Sequence, residues 1–344
     1  MNEVKVALIG YGGIAGSHKR GYDLLAKQNA PVRLVAVCDI RPETFKGATK
    51  INLGGTGGSL DDIATYTDFE KMLAEVDFDM ADICVPTYLH KKITVRMLRA
   101  GKHVLCEKPM ALSSAECDEM ITVAAEQGKR LMIGQCLRFE PTYLYLKRCI
   151  EDGRFGKLKN LSMERLSIMP RWGFENWFFD HEKSGGVALD LHIHDIDMAR
   201  FLLGEPTGVS AVTMDISTKQ SFCNTRLFYP ETTVFATGSW DESVTTPFSM
   251  GYRARFEKAS VIMNMSGTTV YPDEVGAKPY APEFPELAEE RGNRMAEEIR
   301  YIASLILDPD KNNEHNPPES ALRSVALVEL LRKSAAQDGE IIKL

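Results

Sequence analysis

No apolar run in this 344-residue sequence approaches the ~18 residues needed to span a bilayer. It also lacks a Cys-x-x-Cys pair, a basic tract, an internal repeat and a low-complexity segment. No basic segment precedes the first apolar stretch at residues 4–9, so a secretion signal is not expected. These absences exclude whole classes. A membrane-spanning protein is not expected. A formal charge of −7 without a basic cluster argues against nucleic acid as a partner. The cysteines number 7, an odd count, and sit mostly inside apolar runs, which fits reduced, buried thiols of a cytoplasmic protein. Aromatic residues are only 8% of the chain, yet 44% is hydrophobic, enough for packed cores and against disorder. The length suits about two domains.

What is present alternates between two periods in the first third. Short branched runs at 4–9, 32–38, 80–85, 104–106 and 131–134 read as buried strands, and 14–27, 89–100 and 113–127 read as helices between them. Short buried strands alternating with helices predict a doubly wound parallel sheet. Beyond about residue 139 the regular alternation stops. After a helix at 142–151, strand-like segments at 158–168, 208–216, 225–228, 232–240, 252–256 and 259–265 follow one another, with a helix at 193–203 inserted. That pattern predicts an α+β domain with a mainly antiparallel sheet. A proline-bearing loop is expected at 271–285, and helices at 287–307 and 320–336. The expected domains are therefore 1–138 and 139–344.

Four segments carry chemistry. Gly10-Tyr11-Gly12-Gly13-Ile14-Ala15 follows the first strand and opens the first helix. Gly10 permits the tight turn, Gly12 lets a pyrophosphate approach, and the helix N-terminus attracts the anion. Asp39, at the end of the second strand, suits the ribose hydroxyls and repels a 2′-phosphate, which favours NAD. Arg41 leaves NADP open as the alternative. Pro86 and Thr87 end the next strand, with Thr87 as a candidate N-cap and His90 a structural histidine. Glu107-Lys108-Pro109 ends the strand after that, where Lys108 can hydrogen-bond a substrate oxygen and help an alcohol ionise. The fourth segment runs Gly185-Gly186-Val187-Ala188-Leu189-Asp190-Leu191-His192-Ile193-His194-Asp195-Ile196-Asp197. A helix starting near Leu191 would place Asp190, His194 and Asp197 on one face, as a carboxylate-oriented base. His192 and His194 at i,i+2 point to different faces, so no metal is expected. Arg165, Arg171 and Trp177 precede this block and are candidates to line a substrate pocket.

Together these segments resemble the Gfo/Idh/MocA oxidoreductases, a family that includes glucose-fructose oxidoreductase and inositol 2-dehydrogenase. The carrying residues are Gly10-x-Gly12-x-x-Ala15, Asp39, Glu107-Lys108-Pro109 and Gly185-Gly186 with Asp190-x-x-x-His194. The resemblance covers essentially the whole chain. It implies a Rossmann domain, then a domain whose open-faced sheet forms the subunit interface of a homodimer or homotetramer. It implies NAD, contacted by Gly10, Gly12, Gly13, Ile14, Asp39, Arg41, Pro86, Thr87, Glu107 and Lys108. It further implies a sugar or cyclitol substrate, with Lys108, Asp190 and His194 acting on its hydroxyl. His192 departs from a glycine common in the family and narrows the expected pocket wall. Two other readings on the same fold are an NAD-dependent redox-neutral glycosidase and a non-catalytic dinucleotide-binding regulator.

Overall fold

A computed structural model describes residues 2–46, 59–284 and 293–344. The first strands and helices run β1 (Val4–Ile9), α1 (Ala15–Lys27), β2 (Val32–Cys38), β3 (Ala64–Tyr66), α2 (Phe69–Glu75), β4 (Met80–Ile83), α3 (His90–Arg99), β5 (His103–Glu107), α4 (Ser114–Glu126) and β6 (Leu131–Gly134). Then come α5 (Pro141–Glu151), β7 (Leu158–Leu166), α6 (His181–Ser184), α7 (Gly186–Asp190), α8 (Ile193–Leu203), β8 (Gly208–Met214), β9 (Phe222–Phe228), β10 (Thr233–Ser239), β11 (Ser249–Phe256), β12 (Ala259–Asn264) and β13 (Gly267–Pro272). The chain continues through α9 (Arg294–Leu307), α10 (Pro318–Ala335) and β14 (Ile342–Lys343). Among the described residues no helix is long and apolar enough to cross a membrane.

The first sheet has the order β3-β2-β1-β4-β5-β6, and all its pairings are parallel. Its central strands are buried on both faces: Val4, Val6, Ala7, Leu8, Met80, Ala81, Ile83, Val104 and Leu105 are all at 0% exposure. That is why they read as continuous apolar runs. The winding reverses between β1 and β4, the switch point at which open sheets bind ligands beyond their carboxyl ends.

The chain divides into two compact units, Met1–Phe139 with Glu289–Leu322, and Glu140–Ala288 with Arg323–Leu344. This corrects the expected boundary of 138/139, because a late segment returns to the first unit. Ala296, Ile299, Ile302, Ala303 and Ile306 of α9 belong to the same apolar cluster as Val4, Val6, Leu8, Tyr22 and Leu25. Their i,i+3,i+4,i+7 spacing is visible in the chain, but the surface that buries them is not. Residues 287–292 of the helix expected at 287–307 lie outside the described residues, and α9 starts from Asn293, whose side chain accepts the Met295 N–H.

The second unit is built on an eight-stranded sheet, β13-β12-β11-β7-β10-β9-β8-β14. It is antiparallel except where β10 pairs parallel with β7. Alternate residues such as Ala211, Thr225, Leu227, Val234 and Ala236 are buried, while Val212, Met214 and Phe235 are 54%, 51% and 39% exposed. The sheet thus has one covered and one open face. β13 reaches Pro272, so the proline-bearing loop begins later than expected.

Candidate functional site

Four turns leave the carboxyl ends of β1, β2, β4 and β5, along one edge of the parallel sheet. They are stitched to one another. Gly10 has φ +89°, and a Cβ there would fall 2.7 Å from the Cys84 carbonyl oxygen and 2.9 Å from Val85 Cγ1. Only glycine lets the first turn lie against the turn after β4. Beyond it, Gly12 has open space where a Cβ would point. Gly13 leads to Ile14, which precedes α1 without a side-chain cap, and no acidic residue lies in the first turn. The orphan N–H groups and positive end of α1 are therefore left for an anion.

Asp39 is 7% exposed. Its Oδ2 accepts the Tyr11 N–H at 2.7 Å, and its Oδ1 accepts the Arg41 N–H at 2.8 Å. Arg41 Nε lies 3.4 Å from the same Oδ1. The carboxylate is fixed beside the glycine turn, with lone pairs left for a diol. An open cradle at Gly12 and a placed carboxylate at Asp39 are what a dinucleotide needs.

The next turn corrects an expectation. Thr87 is 3% exposed and opens a 3-10 turn, Thr87–Leu89, and α3 is preceded by Leu89, which has no capping side chain. Thr87 is not the N-cap of α3. The 3-10 turn closes its own backbone instead, with Leu89 N–H donating to Pro86 O at 2.9 Å. His90 is structural, its ring nitrogens 2.7 Å from Pro109 O and 2.9 Å from Val85 O. The ring ties the Pro86 turn to the Lys108 turn.

At the end of β5, the Lys108–Pro109 peptide is cis. Glu107 turns inward. Its Oε1 lies 2.9 Å from His18 Nε2, and its Oε2 accepts the Lys108 N–H at 3.1 Å. Burial alone would push this carboxyl up, but the His18 hydrogen bond and charge, with Lys108 beyond, hold it below the usual carboxylate range. Glu107 was expected to contact the cofactor. Its side chain is instead occupied within the first unit, while Lys108 stays partly exposed.

In the second unit, one helix was expected to carry Asp190, His194 and Asp197. The chain bends there. α7 ends at Asp190, the N–H groups of Leu191 and His192 both reach Val187 O at 3.0 and 2.8 Å, and α8 starts at Ile193. Two donors on one carbonyl tighten and close the turn, so the i,i+4 spacing spans a break. Asp190 and His194 are both partly exposed. Asp197 is not with them: it is 1% exposed, accepts from Ser324 Oγ at 2.8 Å and pairs with Arg200 at 3.8 Å. His192 is fully buried, with Nε2 2.9 Å from Thr225 Oγ1. Burial, and then the Arg165 charge, hold its pKa down at about 3.

Of the residues expected to line a pocket, Arg165 is a core residue at 3% exposure. It donates to Asp195 Oδ1 at 3.1 Å and to Tyr143 OH at 3.4 Å. Arg171 and Trp177 share an aromatic segment. The Arg171 guanidinium lies over Phe179 at 5.5 Å, and Trp177 stacks on Phe178 at 4.0 Å. Glu175 and Asn176 between them adopt positive φ, +50° and +53°. Sequence reasoning missed His18, Asp82 and Tyr22, which are buried beneath the Lys108 turn.

Residues 4–135 match the Gfo/Idh/MocA oxidoreductase family with its NAD-binding Rossmann fold, and residues 143–270 match the Gfo/Idh/MocA C-terminal domain. The chain belongs to this Gfo/Idh/MocA family. Among curated relatives, it is 34% identical over 209 residues to inositol 2-dehydrogenase of Rhizobium meliloti (strain 1021), covering 60% of this chain and 58% of that protein. It is 32% identical over 204 residues to 2,7-anhydro-N-acetylneuraminate hydratase of Mediterraneibacter gnavus, covering 59% and 50%. The chain thus spans between half and three fifths of those relatives' own length. Among solved structures, levoglucosan dehydrogenase in complex with NADH shares the fold at TM-score 0.82 and 18% identity, covering 99% of each chain. The WlbA dehydrogenase of Bordetella pertussis, in complex with NADH and UDP-GlcNAcA, gives 0.80 and 20%, covering 100% of this chain and 98% of that one.

Proposed function

We propose that this Gfo/Idh/MocA protein is an NAD-dependent dehydrogenase that oxidises a secondary hydroxyl of a sugar or cyclitol. The observation that carries the reading is the cradle at the head of α1, open at Gly12 and flanked by the fixed Asp39 carboxylate. The names of relatives, inositol 2-dehydrogenase and levoglucosan dehydrogenase, support a polyol as the substrate class. When bound, the nicotinamide supplies the hydride acceptor. His194 takes the hydroxyl proton, Asp190 orients His194, and Lys108 stabilises the developing alkoxide through its charge. Arg171 and Trp177 contact the sugar. Gly10, Gly12, Gly13, Ile14, Asp39, Arg41, Pro86 and Thr87 hold the dinucleotide.

A panel of inositols and sugars, scored by absorbance of reduced cofactor with NAD and with NADP, tests both substrate class and cofactor. Turnover is expected with at least one polyol, and kcat/KM is expected to favour NAD by tenfold or more, about 1.4 kcal/mol. A preference for NADP would overturn the role given to Asp39. Absence of free reduced cofactor with every polyol would overturn the reaction.

We also propose that the open face of the second sheet docks a second copy of this chain. It exposes Val212 and Met214 on β8 and Phe235 on β10, the two strands that flank β9, and an apolar surface of this kind suits an interface. Light scattering is expected to give a dimer or tetramer, and Val212→Asp with Phe235→Asp to give a folded monomer. A native protein that is already monomeric at micromolar concentration would rule this interface out.

A further inference from the structure

Beneath the Lys108 turn the first unit buries a line of ionisable groups that the proposed reaction does not use. His18, in the second turn of α1, is at 0% exposure. Its Nδ1 lies 2.8 Å from Asp82 Oδ2 on β4, and its Nε2 lies 2.9 Å from Glu107 Oε1 at the end of β5. Tyr22 OH donates to the same Asp82 oxygen at 2.9 Å, and Cys84 Sγ donates to Asp82 Oδ1 at 3.7 Å. The other oxygen of Glu107 accepts the Lys108 N–H at 3.1 Å. Gly134 on β6 makes room for this inward turn, since a Cβ there would sit 3.2 Å from Glu107 Oε1 and 3.2 Å from its Cα.

A ring with a carboxylate oxygen within hydrogen-bond reach of each nitrogen donates from both, so His18 is an imidazolium. Burial opposes that charge, but Asp82 raises the His18 pKa well above the ordinary histidine value. Glu298 of α9 also faces this group, fully buried with neither oxygen hydrogen-bonded. Burial, followed by the Glu107 charge, raises its carboxyl well above the usual range, against the lowering influence of His18 and Arg294. His18, Asp82 and Cys84 bring their ligand atoms within 4.8 Å of one another. Both ring nitrogens are already bonded to carboxylates, so the trio is a hydrogen-bonded network rather than a cation site.

We propose that His18 is a positioning residue for Lys108, clamping Glu107, and through it the Lys108 N–H, to the helix that opens the dinucleotide turn. The inference rests on the reading that Lys108 acts on the substrate. α1 begins at the glycine turn and His18 stands one turn inside it, so one rigid side chain joins the cofactor's helix to the lysine's turn. Alkoxide stabilisation depends on where the ammonium stands, and a displacement of ~1 Å can cost on the order of 10²-fold in rate. The clamp holds while Glu107 is ionised and His18 protonated, and it is lost as pH rises through the raised folded-state pKa of His18.

The test is a double-mutant cycle between His18→Gln and Lys108→Ala, read as kcat on a polyol that the native enzyme oxidises. His18→Gln is expected to lower kcat by ~10- to 10²-fold while KM for NAD changes less than ~3-fold. On the Lys108→Ala background it is expected to cost nothing further, because the residue it positions is gone. A merely structural role would lower kcat by the same factor on both backgrounds. Should His18→Gln fail to fold, Glu107→Gln replaces it, since an amide has one acceptor oxygen and serves His18 or Lys108 but not both. A readout independent of turnover is the ring ¹⁵N spectrum of the native protein, in which one of the 7 histidines is expected to hold both protons at pH 8. A neutral ring at that pH, or losses that multiply in the cycle, overturns the clamp. If Lys108→Ala alone leaves kcat intact, the reading of Lys108 falls instead. If Lys108→Ala cripples turnover and the His18 loss multiplies onto it, that reading stands and this inference falls.

Discussion

Lys108→Ala is expected to lower kcat by ~10²-fold or more, about 3 kcal/mol, with NAD affinity within a factor of ~3 of native. The expectation follows from how the residue is held. Its backbone is anchored by the Glu107 carboxylate, the following Pro109 is bonded through its carbonyl to the His90 ring, and the lysine itself stays partly exposed. The backbone of the turn is therefore held while the lysine side chain is partly exposed. An ammonium aimed at a developing alkoxide contributes most in the transition state, so its loss appears in kcat rather than in ground-state binding. Lys108→Met preserves much of the stem and removes the charge, and it is expected to match alanine. Lys108→Arg keeps a charge with a different reach and is expected to recover part of the rate. Stopped-flow measurement of the hydride step, beside titration of NAD by fluorescence, separates the two effects. A normal hydride step with NAD binding weakened tenfold would assign the lysine to the dinucleotide.

Much of the first unit was legible because its strands are buried on both faces. The run at 32–38 coincides with β2, and the glycines at 101 and 128 both take positive φ at helix ends, as C-terminal stop signals do. The second sheet was legible in outline, through its alternation, but β13 was hidden by prolines that follow it. Three things were less visible. The return of α9 to the first unit depends on which surface covers an amphipathic helix, and periodicity cannot name that surface. The break between α7 and α8 replaces a regular i,i+4 pair with two donors converging on Val187 O, a local event without a residue signature. The buried network around His18 did leave a trace. Asp82 stands inside the apolar strand 80–85, and a carboxylate there requires a partner, because an unpaired buried charge is too costly to retain. Reading that demand would have pointed to a buried cation without naming His18.

His194→Ala is expected to lower kcat for polyol oxidation by ~10²-fold or more and to abolish the acid limb of the kcat/KM profile. Five ionisable side chains run from Asp190 to Asp197, and three of them are buried. His192, Asp195 and Asp197 are buried at 0%, 0% and 1%, on Thr225, Arg165 and Ser324 respectively. Asp190 and His194 are the two left partly exposed, on either side of the bend. A base must be neutral to accept the hydroxyl proton, so oxidation is expected to slow as falling pH protonates the imidazole. Asp190→Asn is expected to keep the side-chain shape, lower the rate and move the limb to lower pH, because a carboxylate favours the protonated ring. His192→Ala is the control. With its pKa held at about 3 by burial, His192 stays neutral across the working range, so its loss is expected to cost stability and leave the limb in place. If the His194→Ala enzyme retains both rate and limb, the proton goes elsewhere and the histidine is structural. If activity instead vanishes on chelation and returns with zinc, the block binds a metal and the acid–base assignment is wrong.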